Sequence, residues 1–470
     1  MPSLNEYNAS IQNSRILYSK IELLNNNLTV VNEWSNIVVG SPSFSINADS
    51  DIRRTCSLTL IPIDDSLKIE SGSQIWLDKY VRIYIGIELS GEIIYTNMGI
   101  YLINNPNTVY NATTHEITIQ GIDMMAKLTG QRNGTLEGLT HTITAGTNVR
   151  TAIIGVLSLA NITSYVIEEC EECSTVPEDI SVSLGSTIYD LLKALRDLIP
   201  QYQMYFDVDG VFHYNKIPSG VNASVFAGDE LWDKLLLSYN RKYDFESVKN
   251  SITVYGKTHN VKYYNNGVIS SNTIQVTVST STSSSLIYDG IKIGFTLSSN
   301  ISSANGIYFQ PLPMSFSALP IVSPSEVNVE ELQADVYYVV KYQQLLNSWL
   351  LMGESTPSYT IEEDNPDSPF YVNGNIGRIR TIVTDDNIYT TELAKARAKW
   401  ELYTRCRLQD AITLTCIPVY WLDVNNVIEI TLPNEEKEKY IIKSISVGGG
   451  VSGTQTIQCQ KYYSYYEEEE

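Results

Sequence analysis

TTELAKARAKWELYTRCR (390–407), AITLTCIPVYWLDVNNVIEI (411–430) and KYIIKSISVGGGVSGTQTIQC (439–459) decide how this chain is read. Leu393, Ala396, Trp400 and Tyr403 recur at helical spacing, so the first stretch predicts an amphipathic helix over 391–407. The other two predict strands at 411–417, 427–431 and 440–446. Gly448, Gly449, Gly450 and Gly453 mark a turn before a last strand. One helix followed by paired short strands, with no catalytic residue set among them, reads as a structural unit.

Working outward, residues 1–130 also read as strands: 57–63 (SLTLIPI), 81–89 (VRIYIGIEL), 100–104 and 116–121 (EITIQG). In VRIYIGIEL the alternation is strict. Val81, Ile83, Ile85, Ile87 and Leu89 share one face; Arg82, Tyr84, Gly86 and Glu88 share the other. That is a strand with one buried face, suited to a small barrel or a sandwich. Periodicity alone does not choose between them.

Residues 131–225 change character. Val149, Ile153, Val156, Leu157 and Ala160 form one helical stripe; Ile188, Leu191, Leu192, Leu195, Leu198 and Ile199 form a clearer one. Thr187 with Asp190 predicts a capping box, and Pro200 a stop. YQMYFDVDGVFHYNKIP then predicts a hairpin turning at Asp209-Gly210. This is a small α/β helix-hairpin module between β domains. A further β section opens at 245–256 and resumes at 376–384. Between them, 263–375 is an insertion rich in Ser, Asn and Thr, with strand patterns at 335–342 and 347–352.

Composition narrows the function classes. A chain of 470 residues predicts about two to four domains. Net charge is −21, without the basic footprint of a stand-alone nucleic-acid binder. The 32 Tyr, against 9 Phe and 6 Trp, suit half-buried strands and interfaces. Six Cys are too sparse for a disulfide scaffold, so reduced thiols are expected. MPSLNEYNASIQNSR has no signal-peptide pattern, and no apolar run reaches membrane-spanning length.

Catalytic and metal patterns are weak. Cys170-Glu171-Glu172-Cys173 lacks a second pair at zinc spacing. Asp207-Val208-Asp209-Gly210 starts like a calcium loop, but VFHY follows at once and reads as a strand. His115, His141, His213 and His259 share no metal-binding motif, and no nucleophile elbow or phosphate loop occurs. The expectation is no catalytic, cofactor or metal residue, and no enzyme. The C-terminal YYSYYEEEE reads as a solvated acidic end at 467–470.

The order of elements resembles the baseplate-hub family of phage tails and related injection particles. Three stretches carry the likeness. RRTCSLTLIPI, VRIYIGIELSGEIIYTNMGIYLI and EITIQGIDMMAKLTG resemble the family's first barrel. Its G-x-[FY]-x-I motif falls on Gly99, Tyr101 and Ile103, and its D-x-x-x-x-L motif on Asp123 and Leu128. STIYDLLKALRDLIPQYQMYFDVDGVFHYNKIP resembles the helix-plus-hairpin module. SPFYVNGNIGRIRTIVTDDNIYTTELAKARAKWELY with IPVYWLDVNNVIEI resembles the closing unit. Together they cover roughly half of the chain; 263–375 has no match.

The resemblance implies a mainly β chain with a small α/β module, two tail-tube-like β-barrels and inserted domains. The expected division is 1–130 first barrel, 131–225 helix-hairpin module, 226–262 with 376–466 second barrel including helix 391–407, 263–375 β-rich insertion, and 467–470 acidic tail. It implies a homotrimeric ring of six barrels at the virion tail tip, matching sixfold tail symmetry to a threefold tip. Implied partners are a distal-tail or tail-tube hexamer, a tape measure protein, and spike, fibre or receptor-binding proteins. DNA would pass through the lumen without specific binding, and acidic side chains would face that channel. Lysozyme, peptidase or fibre domains that often follow the hub are expected to be absent or on another polypeptide. The competing readings are a carbohydrate-binding adhesin or fibre-base module and, behind it, a cell-wall hydrolase.

Overall fold

The structure, a computed structural model, describes residues 2–12, 14–34, 38–62, 67–138, 141–171, 173–220, 222–259, 261–278, 286–313, 316–323, 326–354, 357–432, 436–450 and 453–465. The acidic run 467–470 lies outside the described residues. The chain is mainly β, with five α-helices among the described residues: α1 (Leu4–Ser10), α2 (Val149–Leu159), α3 (Ile188–Arg196), α4 (Asp229–Leu235) and α5 (Thr391–Arg405).

Alternation builds the largest sheet as the sequence predicts. In the strand Tyr80–Leu89, Val81, Ile83, Ile85 and Ile87 are buried while Arg82, Tyr84 and Glu88 are partly exposed. From one edge the strands run Leu236–Asp244, Gln409–Cys416, Gln455–Lys461, Lys437–Gly448, Val38–Asn47, Arg54–Leu60, His115–Ile122, Glu92–Tyr110, Tyr80–Leu89, Leu17–Leu24 and Val30–Glu33. Val225–Ala227 and Val427–Thr431 branch from Lys437–Gly448, making 13 strands.

The expectation of two barrels is thereby refined, because the two strand sets are continuous. Lys437–Gly448 pairs antiparallel with Val38–Asn47, setting Ile445 opposite Ile46 and Val447 opposite Phe44. All four side chains are buried in one core that also holds Ile83, Ile119, Leu414 and Ile457. Each such burial is worth about 1.5–3 kcal/mol, so the seam is as firmly packed as the rest of the sheet.

The α/β module follows its sequence signals. Thr187 caps α3 reciprocally with Asp190, and Ile188, Leu191, Leu192 and Leu195 are buried. The helix ends at Arg196, ahead of Pro200; Leu198 and Ile199 are still buried, now in the turn that follows. The hairpin Tyr202–Phe206 with Phe212–Lys216 gains a parallel third strand, Tyr165–Ile167.

The insertion contains a closed seven-stranded barrel, which its low-complexity sequence did not announce. Its strands are Tyr263–Ser270, Thr273–Thr277, Tyr308–Leu312, Leu319–Val322, Ser348–Glu354, Tyr337–Gln343 and Lys292–Leu297, the last pairing back to the first. Phe295, Phe309 and Trp349 fill it. The strand Ser358–Glu362, inside the expected insertion, leaves the barrel and pairs with Ser251–Tyr255, which also pairs with Arg380–Thr384.

The face that α5 buries is rotated from the predicted stripe. Leu393, Ala394, Ala398 and Glu401 are buried; Ala396, Trp400 and Tyr403 are half-buried. The physical reason is the three-stranded sheet beneath. Ile252 and Val254 share a core with Leu393, Ala394, Ala398 and the α/β module, so α5 packs there and not in the core of the large sheet. Buried Glu401 is held by Arg397 at 2.8 Å and Arg405 at 2.6 Å.

Candidate assembly interface

The weak chemical motifs resolve into local structure. Cys170 and Cys173 are buried thiols not joined in a disulfide; Cys173 donates to the carbonyl of Thr175 at 3.2 Å. Among the described residues no three His, Cys, Asp or Glu side chains gather as metal ligands, and Glu172 lies outside those residues. Asp207 accepts the backbone N–H of Asp209 and of Val211, each at 2.9 Å, and pairs with His213 at 2.9 Å. Its carboxylate therefore organises the hairpin turn. Burial raises its pKa, yet the bonds from His213 and the backbone outweigh this and hold it below its ordinary value. His141 Nε2 contacts the carbonyl of Glu137 at 2.9 Å, and the His115 ring meets Tyr110 edge-on. His259 is buried beside Glu178, and burial lowers its pKa.

The motif residues Gly99, Tyr101, Ile103, Asp123 and Leu128 are all buried. Gly99 has φ +129°, a backbone conformation that disfavours any side chain. Tyr101 is fully buried and its hydroxyl donates to the carbonyl of Met98 at 2.7 Å. A Cβ on Gly121 would lie 2.7 Å from the Tyr101 Cβ and 2.5 Å from the Cys56 Sγ, so only glycine fits there. Asp123 accepts the N–H of Arg54 at 2.8 Å and of Met125 at 2.9 Å. Burial pushes its carboxyl up to about 6, against the pull of those donors and of Arg54 and Arg53.

Around this point a polar network locks three parts of the chain together. The Arg54 guanidinium pairs with Asp423. Arg53 donates to Gln203 Oε1 at 2.8 Å and lies 4.0 Å from the Tyr205 ring centroid. Asn425 donates to the same Gln203 oxygen at 2.6 Å. The first strand set, the α/β hairpin and the closing unit thus share one buried junction. Charged groups this deep persist only when partnered, so the junction fixes the relative placement of all three.

The sheet's two ends remain without a neighbouring strand among the described residues. At one end, Leu236–Asp244 pairs along only one side, with Gln409–Cys416. Tyr239 and Arg241 stand opposite the buried Leu414 and Ile412, on the core-side face, and Tyr243 stands opposite the buried Asp410. Yet Tyr239 and Tyr243 are 38% and 45% exposed, and Phe245 just beyond is 77% exposed. The apolar face runs past the point where this chain can cover it. Arg241 anchors the strand through Asp410 and through Glu438 at 2.9 Å. At the other end, all four residues of Val30–Glu33 are exposed, including Val30 and Val31. The reading of the sequence missed the strand Leu236–Asp244. Its signal is the alternation Tyr239, Arg241, Tyr243, interrupted at Leu237 by a bulge.

A family model described as a domain of unknown function (DUF5048) matches residues 367–466. No curated protein matches the chain. Solved structures do. The tail protein from Neisseria meningitidis MC58 superimposes with a TM-score of 0.50 at 10% identity, covering 95% of this chain and 98% of that one. A prophage MuSo2 tail protein from Shewanella oneidensis gives 0.48 at 10% identity over 94% and 98%. The prophage tail protein gp18 from Listeria monocytogenes EGD-e gives 0.43 at 10% identity over 94% and 94%. Over almost its whole length, this chain shares the fold of the Neisseria tail protein.

Proposed function

We propose that the protein is a structural hub at the tip of a phage or phage-derived tail. The observation that carries this reading is the open 13-stranded sheet with unlike free ends and an uncovered apolar face at Leu236–Asp244. A long, partly apolar edge strand left bare is an aggregation hazard unless a partner strand covers it. When the covering surface is the unlike end of a second copy, the contact is head-to-tail, and a head-to-tail contact that closes makes a ring. Three copies, each bringing two strand sets, make a six-part ring around a channel. Such a ring adapts a sixfold tail to a threefold tip.

The likeness in fold to a protein named a tail protein supports this assignment, as does the order of elements in the sequence. In this reading the ring sits at the virion tail tip and contacts a distal-tail or tail-tube hexamer, a tape measure protein, and spike, fibre or receptor-binding proteins. DNA passes through the lumen without specific binding, which suits a chain of net charge −21. The role is non-enzymatic. The division of the chain into two barrels, the α/β module and the insertion belongs to the same proposal.

The test is native mass spectrometry with negative-stain imaging of the purified chain, alone and with the tail-tube protein. A threefold ring with an axial hole is expected. A monomer under every particle-assembly condition refutes the hub.

A carbohydrate-binding adhesin is the second reading. Tyr264, half exposed on the insertion barrel, lies 4.5 Å between ring centroids from Tyr337, beside Asn266 and Thr296. Glycan binding lost in Tyr264→Ala would favour it.

A further inference from the structure

The insertion barrel has a core of its own, while the α/β module shares another with α5. Among the described residues no buried apolar cluster joins the two. The chain enters the barrel after Tyr255 and leaves it before Ser358, so two connections carry it. The seam between barrel and module is charged. A cleft of about 170 Å³ there is lined by Ala145, Glu178 and Asp179 of the module and by Lys292, Lys341 and Met352 of the barrel. Lys292 and Lys341 stand opposite each other on paired strands.

His259 lies on the entering connection and is buried in this seam. Its side chain is 0% exposed, and neither ring nitrogen has a hydrogen-bond partner among the described residues. Nε2 lies 3.8 Å from Glu178 Oε2, which also faces the Lys257 ammonium at 3.2 Å. Lys257 in turn rests 5.0 Å from the Tyr389 ring centroid. Asp179 accepts the Ala145 N–H at 2.9 Å. Every side of the seam bears on the imidazole. Burial is the largest influence and opposes its charged form, as do Lys292 of the barrel and Lys257 of its own segment. Glu178 of the module and the Met352 backbone favour that form without prevailing. Lys341 acts one step away, through Lys292. Tyr389, raised first by burial and then by Glu178, stays neutral. Burying two ring nitrogens without partners is costly, and an apolar ring would pack there at lower cost.

We propose that His259 is an acid-sensitive latch: its neutral ring lets the insertion barrel dock on the α/β module, and a proton on it releases the barrel to move on its two connections. The sign follows from linkage. In the released state the ring is hydrated and takes a proton at the ordinary imidazole value of about 6.5. In the docked state it takes one only at lower pH. Docking is therefore complete above the ordinary value and is lost as pH falls toward the depressed one. Across that window the released-to-docked ratio rises by up to about tenfold per pH unit.

The experiment is single-molecule energy transfer in the full chain, titrated from about pH 7.5 to about pH 5. Dyes are placed at Leu184→Cys on the module, 70% exposed in the native chain, and at Leu345→Cys on the barrel, 95% exposed. The native cysteines are buried or half-buried, so the introduced ones label first. One docked population is expected at the upper pH and a second, more variable distance at the lower. His259→Gln takes no proton and should hold the docked population throughout. A native distance that does not change with pH overturns the proposal, and so does an equal change in His259→Gln. If His259→Gln is released at every pH, carbon-13 NMR of the imidazoles in the native chain decides, with the His259 signal identified by its loss in the variant. That ring should titrate below the ordinary value and in step with the distance; titration at or above the ordinary value overturns the latch. Neither readout requires a ring of copies, so the latch stands or falls independently of the hub reading.

Discussion

Asp423→Ala should destabilise the protein by about 3 kcal/mol, and the reason lies at Arg54. The Arg54 side chain is 3% exposed and its guanidinium pairs with Asp423 across 369 residues of sequence. Among the described residues, the other carboxylate acting on Arg54, Asp123, already accepts two backbone N–H groups, and the Arg54 Nε has no hydrogen-bond partner. Removing one member of a buried pair costs about 3–5 kcal/mol because the surviving charge is stranded. The Asp423 side chain is 30% exposed, so water screens part of the pair and the lower end of the range applies. That is roughly a hundredfold change in the folding equilibrium. Urea unfolding followed by fluorescence would read it as a midpoint lowered by about 1 M, for a slope near ~3 kcal/mol/M. Arg54→Met combined with Asp423→Leu removes both charges and should return to within about 1.5 kcal/mol of the native protein. A single variant within about 0.5 kcal/mol of native refutes the claim that this pair seals the junction. So does a double variant no better than the single one.

Gly121→Ala should cost about 1–3 kcal/mol, since the new methyl overlaps Tyr101 and Cys56; a denaturation midpoint equal to the native one refutes the close approach. Asp207→Asn should cost about 1 kcal/mol at neutral pH by weakening the hairpin turn. Because the folded Asp207 pKa is depressed, its contribution is complete above the ordinary carboxylate value and is lost as pH falls through the folded one. The native-minus-variant difference in stability should therefore shrink in acid, as measured by urea titrations at stepped pH. Trp349→Ala should open the insertion barrel by about 3–5 kcal/mol, because Trp349 is fully buried against Phe309 and Tyr342. Hydrogen exchange would show protection lost in 263–354 and kept in the large sheet. Tyr239→Lys should leave the monomer folded, as the side chain is exposed at a sheet edge, yet abolish ring formation by gel filtration.

Much of this molecule follows from local patterns. Alternation placed the strand Tyr80–Leu89, the Thr187–Asp190 pair placed the start of α3, and Asp209-Gly210 placed the hairpin turn. These are properties of a few neighbouring residues, so a short window of sequence suffices. The resemblance also picked out Gly99, Tyr101 and Asp123 before their common role at the buried junction was visible. It gave no hint of Arg54 meeting Asp423, since no local pattern encodes a pair so far apart.

The candidate interface was the least legible part. Leu236–Asp244 reads poorly as a strand because its core-side residues are Tyr and Arg, half covered, and its outer residues are polar. An edge strand has packing on only part of its surface, so its alternation is diluted. The stripe on α5 was misplaced for a related reason. Trp400 and Tyr403 have the bulk of core residues but line a cleft, while small Ala394 and Ala398 make the close approach to the sheet.

By itself, then, the sequence determined the element types, the mainly β class, the α/β module and the lack of any recognisable catalytic motif. Each of these rests on periodicity, capping or composition, which the chain carries locally. Only the tertiary structure decided that two strand sets make one sheet, that the insertion closes into a barrel, and that α5 faces the α/β core. It also decided which edge is left bare. Those outcomes depend on pairing between residues hundreds of positions apart, where hydrophobic burial is non-directional and many partners would serve equally well until the whole chain competes for them.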